Sequence, residues 1–186
     1  MRRPLLPLVL VVVVAAACST APTPVDIQAP FWQGNVAYSL DSSQAGVEDK
    51  RTLAGPVTWI KDEAPEPAPL AGGVSYIIQS GSLILIHRAV SGSCTIEGTT
   101  TLTLKPGDGS LVLSPDGTYA GSIHSVAPFV STWSCPGPGA DPSVWDAAPI
   151  DLEMKGQVDN LRMKGAMTTR VVDGVTMTGS WDFFAK

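Results

Sequence analysis

His87 and His124 are the only histidines of this chain, and histidine is the residue type whose ordinary pKa best suits general acid–base catalysis near neutral pH. The common signatures of nucleophilic or hydrolytic sites, Gly-x-Ser-x-Gly, Ser-x-x-Lys and His-Glu-x-x-His, do not occur in the sequence. Alternation along the predicted strands puts His87 on an inward face and His124 on the opposite face. We therefore expect one packed and one exposed histidine. One functional hypothesis is a hydrolase, which would need His87 or His124 to lie in a cleft beside an acidic side chain.

Carboxylates occur as close pairs at Asp62-Glu63, at Glu48-Asp49, and at Asp151 with Glu153. Glycosidase chemistry needs two carboxylates that face each other across a cleft, whereas these pairs fall in predicted loops or on predicted solvent faces. The segment 105–110 offers a single carboxylate, too few for the roughly six to eight oxygen ligands of Ca²⁺. The sequence therefore predicts no metal site, no cofactor and no catalytic residue.

The N-terminal segment has the form of a secretory leader. Met1-Arg2-Arg3 is basic, and an apolar run of thirteen residues follows from Leu5 to Ala17. Such a run is short for a membrane span but typical of the apolar region of a signal peptide. After it, the uncharged, Pro-rich stretch 19–24 is typical of a semi-extended tether.

The end of the leader, Ala15-Ala16-Ala17-Cys18, resembles the lipobox of bacterial lipoprotein signal peptides. The resemblance covers residues 1–18 and implies that Cys18 becomes a diacylated N-terminus. Cleavage after Ala17 by an ordinary signal peptidase is the alternative. The predicted organisation is a signal peptide at 1–17, a lipidated Cys18 with a Pro-rich tether at 18–30, and one β domain at 31–186. Its predicted location is the cell envelope, on the outer face of the cytoplasmic membrane or on the outer membrane.

Cys94 and Cys135 are the two cysteines left once Cys18 is assigned to lipid. The leader delivers them to an oxidising compartment, where an even pair is most simply a disulfide. Closing a loop of about forty residues would add about 3–4 kcal/mol to the free energy of unfolding. Two buried thiols or a metal pair are the alternatives. The predicted register leaves Cys94 several residues from the point where the loop with Cys135 emerges.

Composition limits the classes of partner. Hydrophobic residues make up 44% of the chain and charged residues 16%, which excludes a disordered chain. The low charge, with 18 Gly and 16 Pro, also argues against a coiled coil. The formal net charge is −5, with 12 basic and 17 acidic residues. The basic footprint of a nucleic-acid-binding domain is therefore absent.

After residue 30, apolar and polar residues alternate with period two, and Gly, Asp, Pro and Ser interrupt the alternation. This pattern predicts an all-β fold, an antiparallel meander of about eight to ten strands. Closure into a barrel would remove exposed sheet edges, and a β-sandwich is the alternative. The predicted strands are 31–40, 54–60, 74–79, 82–90, 93–105, 109–114, 117–125, 150–158, 161–171 and 175–183.

Turn residues predict the register. Two-residue Ser-Gly turns are expected at 80–81 and 91–92, a two-residue turn at Asp159-Asn160, and a three-residue loop at 172–174. Pro115-Asp116-Gly117 should pair Leu113 with Tyr119. Long connections are expected at 41–53, 61–73 and 126–148.

Three aromatic residues, Phe129, Trp133 and Trp145, lie in the predicted 126–148 connection, where no strand pattern requires them. Such residues either cap a core edge or contact a ligand or partner. The first functional hypothesis is a tethered β-barrel that binds an apolar or amphipathic ligand, with this connection at its mouth. The second is an envelope scaffold protein that docks another protein through these aromatics or through the apolar 76–86 segment.

Overall fold

The computed structural model describes residues 29–65, 69, 72–137 and 143–186, without the side chains of Val144 and Trp145. The predicted leader, Cys18 and most of the tether lie outside the described residues. The described part forms ten β-strands and no helix, so the predicted all-β class is confirmed. The strands are β1 Phe31–Gln44, β2 Val47–Lys61, β3 Val74–Ser91, β4 Cys94–Leu104, β5 Gly109–Leu113, β6 Thr118–Ser134, β7 Ser143–Gln157, β8 Arg162–Ala166, β9 Arg170–Val172 and β10 Val175–Ala185.

The strands form an antiparallel meander that curls into a barrel. β4 and β5 lie end to end between β3 and β6, and these four strands make a closed ring of pairings. From β3 the wall continues through β2, β1 and β10 to β8 and β9, which also lie end to end. On the other side β7 extends the wall from β6. The ten strands belong to one sheet, which confirms the barrel prediction over the sandwich.

β3 runs without interruption from Val74 to Ser91, so the turn predicted at 80–81 is wrong. Instead, the register of β3 against β2 shifts by one residue between Thr58 and Trp59. An extra residue in one strand exchanges its inward and outward positions. For this reason both Ile78 and Leu83, which are separated by an odd number of residues, are fully buried.

Two of the three predicted long connections are also wrong. β1 and β2 continue through 41–53 and meet at a two-residue turn, Ala45-Gly46, with positive φ at both positions. β6 and β7 pair as far as Thr132 and Ser143, so that 126–148 is mostly strand. Polar residues on inward positions interrupt the alternation of apolar and polar residues, so the sequence pattern did not predict these strands. Inside the barrel these polar side chains form hydrogen bonds and ion pairs with one another. The third connection exists, since β2 ends at Lys61 and β3 begins at Val74.

The Pro115-Asp116-Gly117 turn is confirmed, with Leu113 opposite Tyr119. The other hairpins shift. The turns lie at 92–93 and at 160–161, one residue beyond the predicted positions, and the last hairpin has a two-residue turn at 173–174. The two-residue turn shifts the pairing of β9 with β10 by one residue from the prediction. An extra residue between β8 and β9 cancels this shift, so Gly165 lies opposite Trp181 as predicted. A Cβ at Gly165 would lie 2.5 Å from the Trp181 ring, which explains the glycine.

The predicted disulfide between Cys94 and Cys135 is confirmed. Because β6 extends to Ser134, which pairs with Thr95, the two cysteines meet directly at one end of the barrel. We call this the distal end. It carries the turns at 45–46, 92–93 and 173–174, whereas the opposite, proximal end carries the first described residue, Ala29, and the C-terminus.

Candidate functional site

The barrel wall has an open seam between β7 and the end-to-end pair β8 and β9. β7 pairs only with β6, and β8 and β9 pair only with β10. Among the described residues, one bridge between Asp159 and Arg162 joins the two edges, at the proximal end. Two unpaired edges that face each other leave room for another molecule.

A cleft of about 480 Å³ occupies the proximal part of the seam. This volume lies in the range of small-molecule sites, roughly 300–1,000 Å³. Its floor is mainly apolar, and charged and hydroxyl groups form its rim. The lining residues are Ala120, Gly121, Glu153, Met154, Lys155, Ala166, Met167, Thr168, Thr169, Arg170 and Trp181.

A second cleft of about 260 Å³ continues the seam toward the distal end. Its walls combine the apolar side chains Val175 and Met177 of β10 with the charged Asp49 and Arg51 of β2. The remaining lining residues are Leu40, Ser42 and Pro149. Pro149 lies on β7, and edge strands of this kind are where sheets tolerate proline.

Arg170 separates the two clefts. Its guanidinium on β9 forms an ion pair with Asp151 of β7, and a second, longer contact of 3.7 Å joins it to Glu153. It also donates to the sulfur of Met177 at 3.4 Å. Behind it lies the buried Tyr38, and burial, followed by the charge of Asp151, raises the pKa of its phenol. The seam is therefore bridged by side chains instead of backbone hydrogen bonds.

The barrel interior is filled at the proximal end and accessible at the seam. On β10, the inward residues Trp181 and Phe183 are 3% and 1% exposed. Farther along the same face, Gly179, Met177 and Val175 are only partly buried, because no strand covers them from the β7 side. A molecule in the seam can therefore contact core side chains directly.

The four methionines that follow Met1 are Met154, Met163, Met167 and Met177. Met154 and Met167 line the proximal cleft and Met177 lines the second cleft, whereas Met163 is fully buried in the core. Methionine is unbranched and polarisable, and it adapts its shape to irregular ligands. Sequence reasoning assigned these residues only to the apolar faces of strands. Their concentration in the C-terminal third was the available signal for an adaptable apolar surface.

A second cluster lies inside the distal half of the barrel. Nδ1 of His87 lies 2.6 Å from Oγ of Ser131, and Nε2 of His87 lies 3.3 Å from an Asp49 carboxylate oxygen. Arg51 donates two hydrogen bonds to Asp49, and it pairs with Asp146 at 2.8 Å. Burial alone would raise the pKa of Asp49, but hydrogen bonds from His87 and Arg51 and the charge of Arg51 lower it to about 2.

This cluster contains the residue types of a nucleophilic triad but not its accessibility. Ser131 and His87 are 2% and 3% exposed, and neither lines either seam cleft. The edge of the Phe129 ring stacks on His87 with ring centroids 5.3 Å apart and closes that side. A substrate carbonyl cannot reach Ser131 Oγ in this arrangement. The cluster acts as a buried polar support for the barrel wall, and Asp49 and Arg51 present its charged end to the distal cleft.

The structure separates the three aromatic residues predicted as contacts. Phe129 is 2% exposed and packs in the core between His87 and Arg51. Trp133 is partly buried on β6, opposite Ile96. The backbone of Trp145 pairs with Val130, and its side chain lies outside the described residues. Sequence reasoning missed Arg170, Met167 and Met177 because the seam depends on which strands fail to pair.

His124 is exposed, as predicted, and its Nδ1 lies 2.6 Å from Asp151 on the outer side of the seam bridge. No group of three or more His, Cys, Asp or Glu side chains in the described ranges has the geometry of a metal site. Nor do those ranges contain a helical segment with the length and hydropathy of a membrane span. No protein-family model, curated protein or solved structure matches this chain.

Proposed function

We propose that this protein is an envelope lipoprotein, anchored through Cys18, whose barrel binds an apolar or amphipathic ligand in the seam. The observation that carries the proposal is the missing pairing between β7 and the β8–β9 edge, which leaves core-facing Met167, Val175 and Met177 accessible. An edge without a partner and an apolar floor without a cover are both unfavourable in water. A bound molecule would relieve the second of these.

The chemistry of the cleft favours an amphipathic molecule. The floor is apolar, whereas Lys155, Thr168 and Arg170 provide donors at the rim. Nε of Arg170 is buried and has no hydrogen-bond partner among the described residues. An acceptor oxygen on the ligand would satisfy this donor, since an unsatisfied buried donor costs about 1–3 kcal/mol.

The test is displacement of an environment-sensitive apolar fluorophore from the purified mature domain, combined with mass spectrometry of an organic extract. Met167→Trp should fill the cleft and lower probe affinity at least about tenfold, because it removes the space that the probe occupies. Val171→Trp is the matched control, since Val171 is 64% exposed on the neighbouring strand and outside the cleft. Equal binding by both variants would contradict a seam site.

The anchor has its own test. Cells given labelled palmitate should incorporate it into the protein, and Cys18→Ser should abolish the incorporation. Label that persists in Cys18→Ser, or no label at all, would contradict the anchor without affecting the ligand site.

A second candidate function is docking of an envelope protein, and one observation favours it. The outer face of β3 exposes Ile84, Ile86 and Val90, with exposed fractions of 54%, 41% and 45%. Ile84 and Ile86 are adjacent on this face, and Arg88 separates them from Val90. Adjacent exposed apolar residues mark contact surfaces more often than isolated ones do. Crosslinking in intact cells should then yield a discrete adduct that is lost in Ile84→Ser/Ile86→Ser and kept in Met167→Trp.

A further inference from the structure

The tether joins the barrel at its proximal end. The amide of Lys61 donates to the carbonyl of Pro30 at 3.2 Å, and the amide of Lys186 donates to Phe31 at 3.1 Å. The 158–161 turn lies at the same end, because the amide of Ala185 donates to the carbonyl of Leu161 at 3.0 Å. Whatever holds the N-terminal segment therefore faces this end of the barrel.

Ile60 at 36%, Leu161 at 49% and Phe184 at 46% are among the large apolar side chains exposed at this end. We call these three residues the proximal rim. Leu161 is the second residue of the two-residue turn at 160–161. Phe184 lies opposite the next residue, Arg162. The guanidinium of Arg162 lies 4.7 Å above the Phe184 ring, an arrangement in which a cation and an aromatic face share one surface.

The backbone of Leu161 is unfavourable for a leucine. It has φ = 58°, and the preceding Asn160 has φ = 49°. A two-residue turn of this kind normally has glycine at its second position, because a Cβ there meets the backbone. Leu161 therefore has a strained backbone and an exposed apolar side chain. A glycine at this position would remove both the strain and the exposed side chain. Backbone strain of this kind concentrates at functional positions.

The charges around the proximal rim balance, so no long-range attraction to an anionic surface is expected. Lys61, Arg162, Lys164 and Lys186 are basic, and Asp62, Glu63, Asp159 and Asp182 are acidic. Arg162 is already paired with Asp182. Any contact of the rim with a surface must therefore depend on apolar insertion.

Ten residues lie between Cys18 and Ala29, a span of at most about 40 Å when extended. We propose that the proximal rim rests on the bilayer, with Leu161 and Phe184 inserted among the lipid headgroups. This inference rests on the proposed anchor at Cys18. It orients the barrel, with the disulfide and the distal cleft directed away from the membrane.

The test uses the mature chain with Cys18→Ser and an N-terminal hexahistidine tag, bound to phosphatidylcholine vesicles that contain a nickel-chelating lipid. A fluorophore on Asp159→Cys reports on the rim. The control label is on Val171→Cys, at the distal end. Nitroxide-labelled lipid should quench the rim label at least about threefold more than the distal label, with no effect of added salt, because the contact is apolar.

Leu161→Gly should reduce quenching of the rim label to the level of the distal label, and it should raise the thermal midpoint because it removes the positive-φ strain. Equal quenching at both positions, quenching that persists in Leu161→Gly, or quenching abolished by salt would each overturn the proposal. Because the tag replaces the acyl chains, failure here is distinguishable from failure of the Cys18 anchor.

Discussion

Asp49 is a carboxylate whose ionised form the folded state strongly favours. Hydrogen bonds from His87 and Arg51 exceed the effect of burial, and they hold its pKa near 2, compared with an ordinary value of 3.8. A folded-state pKa below the unfolded value adds stability at pH values above the unfolded one, and that stability is lost as pH falls toward the folded value. The barrel is therefore expected to lose stability between about pH 4 and pH 2.

Asp49→Asn should lower the free energy of unfolding by about 2 kcal/mol at neutral pH and flatten its dependence between pH 4 and pH 2. Urea unfolding across this pH range measures both effects. Asp41→Asn is the matched control, because the ion pair of Asp41 with Lys50 is exposed to solvent. Parallel stability curves for wild type and Asp49→Asn would contradict this account of the cluster.

Arg170 is the other residue with a specific expected effect, because its ion pair with Asp151 divides the seam. Arg170→Met should join the two clefts and increase affinity for a long-chain apolar probe by up to about fivefold, since the ligand no longer has to break the pair. Fluorescence titration with probes of two chain lengths measures this.

Arg162→Met is the control for Arg170→Met, because it also removes an arginine–aspartate pair but lies outside both clefts. A gain with the short probe as large as with the long one would show that Arg170 does not act as a divider.

At the scale of elements, the disulfide stabilises the contact between β4 and β6. The ladder between these strands has only three residue pairs, from Thr95 to Glu97 on β4, and the disulfide lies next to it. Elsewhere along β4 the two strands do not pair, and Phe129 and Ser131 pack against Gly98 instead. The distal end of the barrel therefore depends on the covalent link more than the proximal end does.

The double variant Cys94→Ser/Cys135→Ser should lower the free energy of unfolding by about 3 kcal/mol. Amide exchange at Thr95–Glu97 should increase more than exchange on β1 and β10, which pair over eleven residues. The affinity of the seam for its probe should change little, because neither cysteine lines a cleft. Uniform acceleration of exchange throughout the barrel would contradict a local role for the disulfide.

For the whole molecule, the filled interior and the open seam predict uneven local stability. Trp32, Trp59 and Tyr76 are fully buried at the proximal end. β8 and β9 are short and pair on one side only, which lowers the free energy of local opening.

Amide exchange should therefore be fastest on β8, β9 and the seam-facing amides of β7, and a saturating apolar probe should slow it there. At a probe concentration one hundred times its Kd, the stabilisation should be about 2.7 kcal/mol. Met167→Trp should exchange slowly at the seam without the probe and show no further protection. Protection by the probe on β3 instead would place its binding site outside the seam.

The degree to which the sequence predicted the structure differs from element to element. Alternation of apolar and polar residues predicted the barrel, and the Pro115-Asp116-Gly117 turn fixed the register at Leu113. The same rule failed at β1–β2 and β6–β7, because Asp49, Arg51 and Ser131 are polar residues on inward positions. It also failed at β3, where a bulge replaces the expected turn.

The local pattern of the chain by itself determined the all-β class and the inward position of His87. The count and spacing of cysteines also predicted the disulfide. Only the tertiary structure decided that β7 and the β8–β9 edge stay unpaired, and that His87, Ser131 and Asp49 meet. Local patterns depend on which face of a strand is buried, whereas pairing depends on where strands that are distant in sequence end around the barrel wall. The candidate site arises from the second kind of information, since it forms where the last ladder of the barrel is missing.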